Sequence, residues 1–72
     1  MGLFLTTLKQ ATDDYEVEEV ENGFTLISRP GREGRFSEVV RRAVDRSGDD
    51  FVVFPVSDGN GGYERAVIMP TD

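Results

Sequence analysis

The stretch Gly34–Gly48, GRFSEVVRRAVDRSG, decides the fold class of the chain. Phe36, Val39, Val40, Ala43 and Val44 recur at the spacing of one apolar stripe on an α-helix. Ser37, Glu38, Arg41, Arg42, Asp45 and Arg46 fill the opposite side. Glu38 with Arg42 and Arg41 with Asp45 are opposite charges one turn apart, a modest further support for helix. Gly34 and Gly48 are the expected ends, since glycine accepts the left-handed conformation that closes helices. No other segment carries so long a helical pattern, so any sheet should pack on this stripe.

The flanking segments supply that sheet. Tyr15–Glu21 (YEVEEVE), Asn22-Gly23 and Phe24–Arg29 (FTLISR) form a hairpin signal, with Asn-Gly suited to a two-residue type I′ turn. That turn would set Glu21 opposite Phe24, Val17 opposite Ser28 and Glu16 opposite Arg29. Tyr15, Val17, Phe24 and Leu26 then share the face that covers the helix, and Glu16, Glu18, Val20, Thr25, Ile27 and Arg29 share the other. Pro30–Gly34 reads as a loop into the helix.

Beyond the helix, Phe51–Ser57 (FVVFPVS), the loop Asp58–Gly62 (DGNGG) and Tyr63–Met69 (YERAVIM) give a second hairpin. Val52, Phe54 and Val56 should point to one side, shared with Ala66 and Ile68. Pro55 has no N–H to donate, which places its strand at a sheet edge. Residues Gly2–Leu8 fit two periods. Leu3, Leu5 and Thr7 alternate as in a strand, and Phe4, Leu8 and Ala11 fit a short helix; a short strand is the preferred reading. The expectation is a single α+β domain over residues 1–72 with two hairpins in an antiparallel sheet (ββαββ, with an extra short N-terminal strand) and one helix on one face.

Composition narrows the chemistry. A chain of 72 residues is near the size at which one hydrophobic core just suffices. It has neither cysteine nor histidine, so disulfides and the usual zinc ligands are excluded, and no cofactor or metal is expected. Asp58-Gly59-Asn60 opens like a calcium loop, but Tyr63 and Met69 occupy the positions that would need glycine and glutamate. Gly31, Gly34 and the nearby arginines match no phosphate-binding signature. The serines have no histidine base and Lys9 is the one lysine, so the chain is not expected to be an enzyme. Leu3-Phe4-Leu5 is too short for a signal sequence or a membrane span, which implies a cytoplasmic location.

Charge is unevenly distributed. Residues 1–22 carry Lys9 against Asp13, Asp14, Glu16, Glu18, Glu19 and Glu21, a net −5 of the total −6. Glutamate is a poor strand former, so four of them in Tyr15–Glu21 point either to a used surface or to an edge guarded against aggregation. Those six acids are the candidate contacts to a basic partner. Arg32, Arg35, Arg41, Arg42 and Arg46, on and beside the helix, are the alternative candidates, for nucleic-acid phosphates.

Two resemblances bear on the choice. GRFSEVVRRAV, GDDFVVF and ERAVIMP, within residues 34–69, resemble the core of prevent-host-death (Phd/YefM-type) antitoxins, and FTLISR is similar to that family's first strand. That likeness implies a DNA-binding repressor that dimerises through its sheet, with Arg29, Arg32, Arg35 and Phe36 nearest the operator. An acidic segment precedes the matching part here, and the hairpin loop is longer than in that family. In size, acidity and lack of cysteine the chain also resembles phage-encoded anti-CRISPR proteins, some of which imitate nucleic acid. This second likeness implies a non-enzymatic inhibitor in the bacterial host cell cytoplasm. It would dock its acidic face on the nucleic-acid-binding surface of a defence complex, as a monomer or homodimer without membrane contact. The inhibitor is the leading expectation, and the antitoxin-like repressor is the alternative.

Overall fold

A computed structural model describes residues 3–48 and 50–71, apart from the side chain of Leu3. Met1, Gly2, Asp49 and Asp72 lie outside the described residues, and so does the part of the N-terminal strand expectation that falls on Gly2. The elements in chain order are α1 (Leu3–Leu8), β1 (Tyr15–Val20), β2 (Gly23–Ser28), α2 (Glu33–Arg46), β3 (Phe51–Ser57) and β4 (Tyr63–Pro70). The four strands form one antiparallel sheet in the order β1-β2-β4-β3. The α+β class and both hairpins agree with the sequence reading. The sheet joins its hairpins through the inner pair β2–β4, leaving β1 and β3 as edges. Pro55 therefore sits on an edge strand, as its missing N–H requires.

The N-terminal segment is a helix, where a strand was the preferred reading. Leu5 and Leu8, one turn apart, are both buried, and Phe4 packs its ring against Phe51 with centroids 6.1 Å apart. Only helical spacing delivers these side chains together to the core. A buried 3.0 Å hydrogen bond from the Tyr15 hydroxyl to the Leu8 carbonyl ties down the end of α1. The described residues thus hold two helices rather than one, and both contribute to the same core.

The helical stripe of α2 is nearly the expected one. Phe36, Val40 and Ala43 are fully buried, while Val44 is 41% exposed. Ser37, expected on the solvent side, is buried instead, so the stripe is rotated towards it. Gly34 lies inside the first turn, and the positive φ before the helix belongs to Gly31, at 82°. Gly48 has φ 111°, in keeping with its expected role beyond the helix end.

The inner face of the sheet holds Tyr15, Val17, Phe24, Leu26, Phe51, Val53, Ala66 and Ile68, which meet α1 and α2 in one cluster. The first hairpin differs from expectation in register. Val20 pairs with Gly23, Val17 with Leu26 and Glu16 with Ile27, so Glu21 and Asn22 form the turn. Asn22 supplies a positive φ of 70° where a type I′ turn would need two. Moving the turn by one residue shifts the strands without exchanging their faces, so Tyr15, Val17, Phe24 and Leu26 still point inward.

Gly23 has a different task from the one its Asn-Gly position suggests. A Cβ there would lie 2.3 Å from the Ile68 carbonyl oxygen and 2.8 Å from Met69 Sδ. Its missing side chain lets β2 lie against β4.

In the second hairpin, Val53 pairs with Ile68 and Pro55 with Ala66. Phe51 and Val53 therefore face the helices, and Val52, Phe54 and Val56 face away from them. This reverses the expected grouping with Ala66 and Ile68. A register shift between Val56 and Ser57 then sets Tyr63 opposite Ser57 and brings it against the core.

Gly23→Ala should destabilise the fold by about 2 kcal/mol through overpacking, while Gly31→Ala, with open space around it, should cost only about 1 kcal/mol in backbone strain. Urea denaturation of the two variants checks the order. Burial raises the Tyr15 pKa above its usual value, and neighbouring Asp14 adds to the rise. The fold therefore favours the neutral phenol. That contribution is intact below the unfolded tyrosine value of about 10 and is lost as pH rises towards the higher folded value. Tyr15→Phe should cost roughly 1 kcal/mol at neutral pH and should flatten the fall in stability above pH about 10, read by denaturation across pH.

Candidate functional site

The six candidate acids follow the β1 edge but do not share one face. Glu16 and Glu18 lie on the sheet face turned away from the helices, and Glu19 lies on the helix side. Asp13 and Asp14 precede the strand, and Glu21 is in the hairpin turn. The approach to β1 is held by backbone and side-chain bonds. Asp14 N–H donates to Thr12 Oγ1 at 3.0 Å, Arg29 N–H to the Asp14 carbonyl at 3.1 Å, and Arg29 Nε to the Thr12 carbonyl at 2.8 Å.

Three of the acids meet cations of their own chain. Glu16 lies 3.6 Å from Arg29, Asp14 3.9 Å from Arg32, and Glu19 3.9 Å from Lys9. These contacts are long and largely solvent-exposed, a class of pair that contributes roughly 0–1 kcal/mol. A basic partner can therefore exchange with them at small cost. Asp13, Glu18 and Glu21 form no ion pair among the described residues.

The arginine candidates are dispersed. Arg32 turns to Asp14, Arg41 donates to the Gly61 carbonyl at 3.5 Å, and Arg46 stacks 4.5 Å over the Phe4 ring. Arg35 and Arg42 remain as exposed cations two turns apart on α2, with Glu38 on the neighbouring surface. The expected Glu38–Arg42 and Arg41–Asp45 pairs are not among the ion pairs of the described residues.

Sequence reasoning placed Glu16, Glu18, Val20, Thr25 and Ile27 on the sheet face turned away from the helices but missed Val52, Phe54, Val56, Arg65, Val67 and Met69 beside them. Antiparallel pairing arranges them in three rows: Glu16, Ile27, Arg65 and Val56; Glu18, Thr25, Val67 and Phe54; Val20, Gly23, Met69 and Val52. Phe54 is 55% exposed, and Val20 and Val56 are each 39% exposed. The signal was present in FVVF and AVIM, apolar runs without alternation, which mark strands whose two faces are both apolar.

A polar groove of about 320 Å³ runs between α2 and the β3–β4 loop, lined by Glu33, Ser37, Arg41 and Asp58 among others. Its polar groups are committed to the fold. Ser37 Oγ donates to the Glu33 carbonyl at 2.8 Å and accepts from Tyr63 N–H at 2.9 Å. Asp58 Oδ1 accepts from the N–H groups of Asn60 at 2.7 Å and Gly62 at 3.1 Å, which makes the loop a side-chain-capped turn. Among the described residues no group of acids is placed to hold a metal ion, and no helix is long and apolar enough to cross a membrane.

No family model, curated protein or solved structure matches the chain. Ser37→Ala should cost about 1–2 kcal/mol, because Tyr63 N–H loses its acceptor. Thermal or urea unfolding reads the loss.

Proposed function

We propose that the protein is a non-enzymatic binding protein whose acidic β1 edge docks on a basic, nucleic-acid-binding surface of a partner protein and keeps nucleic acid from it. The observation that carries this reading is the row of carboxylates on and around an exposed edge strand, with only weak internal neutralisation. Carboxylates on a strand can occupy positions that phosphates would take in a channel of lysines and arginines. A bacterial CRISPR defence complex is the partner that the chain's size and acidity favour. Three of the five candidate arginines are engaged within the fold, which supports the acidic edge over the α2 arginines as the working surface.

The test has two parts. Labelled duplex DNA titrated with the chain at low salt should remain unbound, whereas salt-sensitive binding that weakens in Arg35→Ala/Arg42→Ala would favour an antitoxin-like repressor. Purified CRISPR effector complexes, each assayed with its labelled target, should include one whose target binding the chain reduces. The Glu16→Lys/Glu18→Lys/Glu19→Lys variant should lose that inhibition while keeping a wild-type circular dichroism spectrum. Full inhibition by the folded triple variant, or no inhibition across the panel, would overturn the proposal.

A further inference from the structure

The sheet face that neither helix covers is a shallow trough. Its floor is on the inner strands, where Thr25 is buried, Ile27, Val67 and Met69 are half-buried and Gly23 has no side chain. Its walls stand on the outer strands and differ in chemistry. Glu16 and Glu18, both exposed, rise from β1, and Phe54 and Val56, 55% and 39% exposed, rise from β3. We propose that this face receives an amphipathic helix of a partner protein, with lysines or arginines along the flank that meets β1 and an apolar stripe over the floor and the β3 wall. The inference rests on the acidic-edge reading for the sign of the partner's charge and adds to it the element that docks.

Dimensions and charge select that occupant. Strands about 4.8 Å apart place β1 and β3 roughly 14 Å from one another, and a helix with its side chains is about 10–12 Å across. Glu16 and Glu18, two residues apart on one strand, are separated by roughly 7 Å, close to the rise of about 6 Å between cations at i and i+4 on a helix. One flank of such a helix can therefore answer both carboxylates. Glu18 forms no ion pair among the described residues, and Glu16 has only its long, exposed contact with Arg29. Arg65, the third charged side chain of the three rows, also forms no ion pair among the described residues and lies at the Glu16 end of the floor. There it can meet the carbonyl groups at the C-terminus of the docked helix, the end at which lysine and arginine are themselves favoured. Arg65 thus sets the direction in which the helix lies.

Other occupants fit the two walls less well. Nucleic-acid strands and anionic lipid headgroups are repelled by the β1 carboxylates. An extended peptide added beside β3 would meet Pro55, which has no N–H to donate, and would leave the trough open. A second copy turned about an axis along the strands would stack its Glu18 on Phe54. A basic amphipathic helix instead buries Phe54 and Val67 and keeps the carboxylates at the rim, paired and near water. The three rows span roughly 14 Å along the strands, so a helix of about three turns covers them. So small a contact predicts micromolar affinity, with Phe54 as its anchor.

The probe is a fluorescently labelled peptide of about 14 leucines and lysines patterned as an amphipathic helix, titrated with the chain at about 150 mM salt and read by anisotropy. Wild type should bind it with a Kd of about 10 μM, and the same peptide with glutamate in place of every lysine should stay free. Phe54→Asp adds a negative charge and would tighten a merely electrostatic contact. It should instead weaken binding about tenfold with an unchanged circular dichroism spectrum, and Phe54→Ala about threefold. Glu16→Lys/Glu18→Lys should weaken it about tenfold, while Glu38→Lys/Asp45→Lys, an equal change of charge on α2, should leave it within about twofold. Failure of wild type to bind, full binding by folded Phe54→Asp, or equal loss in the α2 variant would overturn the proposal. So would binding of the chain to phosphatidylcholine vesicles, or a dimer in sedimentation equilibrium, that Phe54→Asp abolishes. Peptide binding by a chain that inhibits no CRISPR complex would sink the acidic-edge reading alone. Full inhibition by Phe54→Asp, which keeps every β1 acid, would sink this inference alone.

Discussion

The fold depends on the contact between the α2 stripe and the middle of the sheet. Phe36, Val40 and Ala43 are buried in one cluster with Leu26, Ala66 and Ile68. The central pair β2–β4 can serve as that floor because Gly23 lets the strands approach, while Leu26 and Ala66 stand opposite one another on the inner face. Ser37 fastens the helix laterally through Tyr63 N–H, a contact between residues far apart in sequence. In so small a chain few redundant contacts support the core, so each of these approaches matters.

The same economy accounts for the two unlike surfaces. The helices supply one apolar layer, and the strands supply two apolar faces. Once α1 and α2 are placed on the inner face, Phe54, Val56, Val67 and Met69 are left on the outer one. The acids of β1 border that face along an edge, where charge opposes strand addition. An open, largely apolar face and a charged edge that resists strand pairing are therefore produced by one arrangement of strands.

Much of the architecture was legible because it rests on local periodicity. The helical stripe, the two hairpins, the five-residue loop and the edge position of Pro55 each follow from spacing or from the chemistry of one residue. The candidate surface was less legible. FVVFPVS has apolar residues at both parities, so alternation alone could not say whether Phe51 and Val53 or Val52 and Phe54 faced the helix. The arginines carried no mark in sequence of which would stack on Phe4 or turn to Asp14, since those partners come from distant segments.

By itself, then, the sequence determined the α+β class, the order of the main elements, the concentration of acid in the first third of the chain and the absence of cysteine and histidine chemistry. These follow from composition and from interactions only a few residues long. Tertiary structure decided the helical state of Leu3–Leu8, the joining of the hairpins through β2 and β4, the burial of Ser37 and the outward turn of Phe54. Each depends on which surfaces meet, and six residues of α1 have too few local bonds to choose helix until Leu5 and Leu8 have a core to enter.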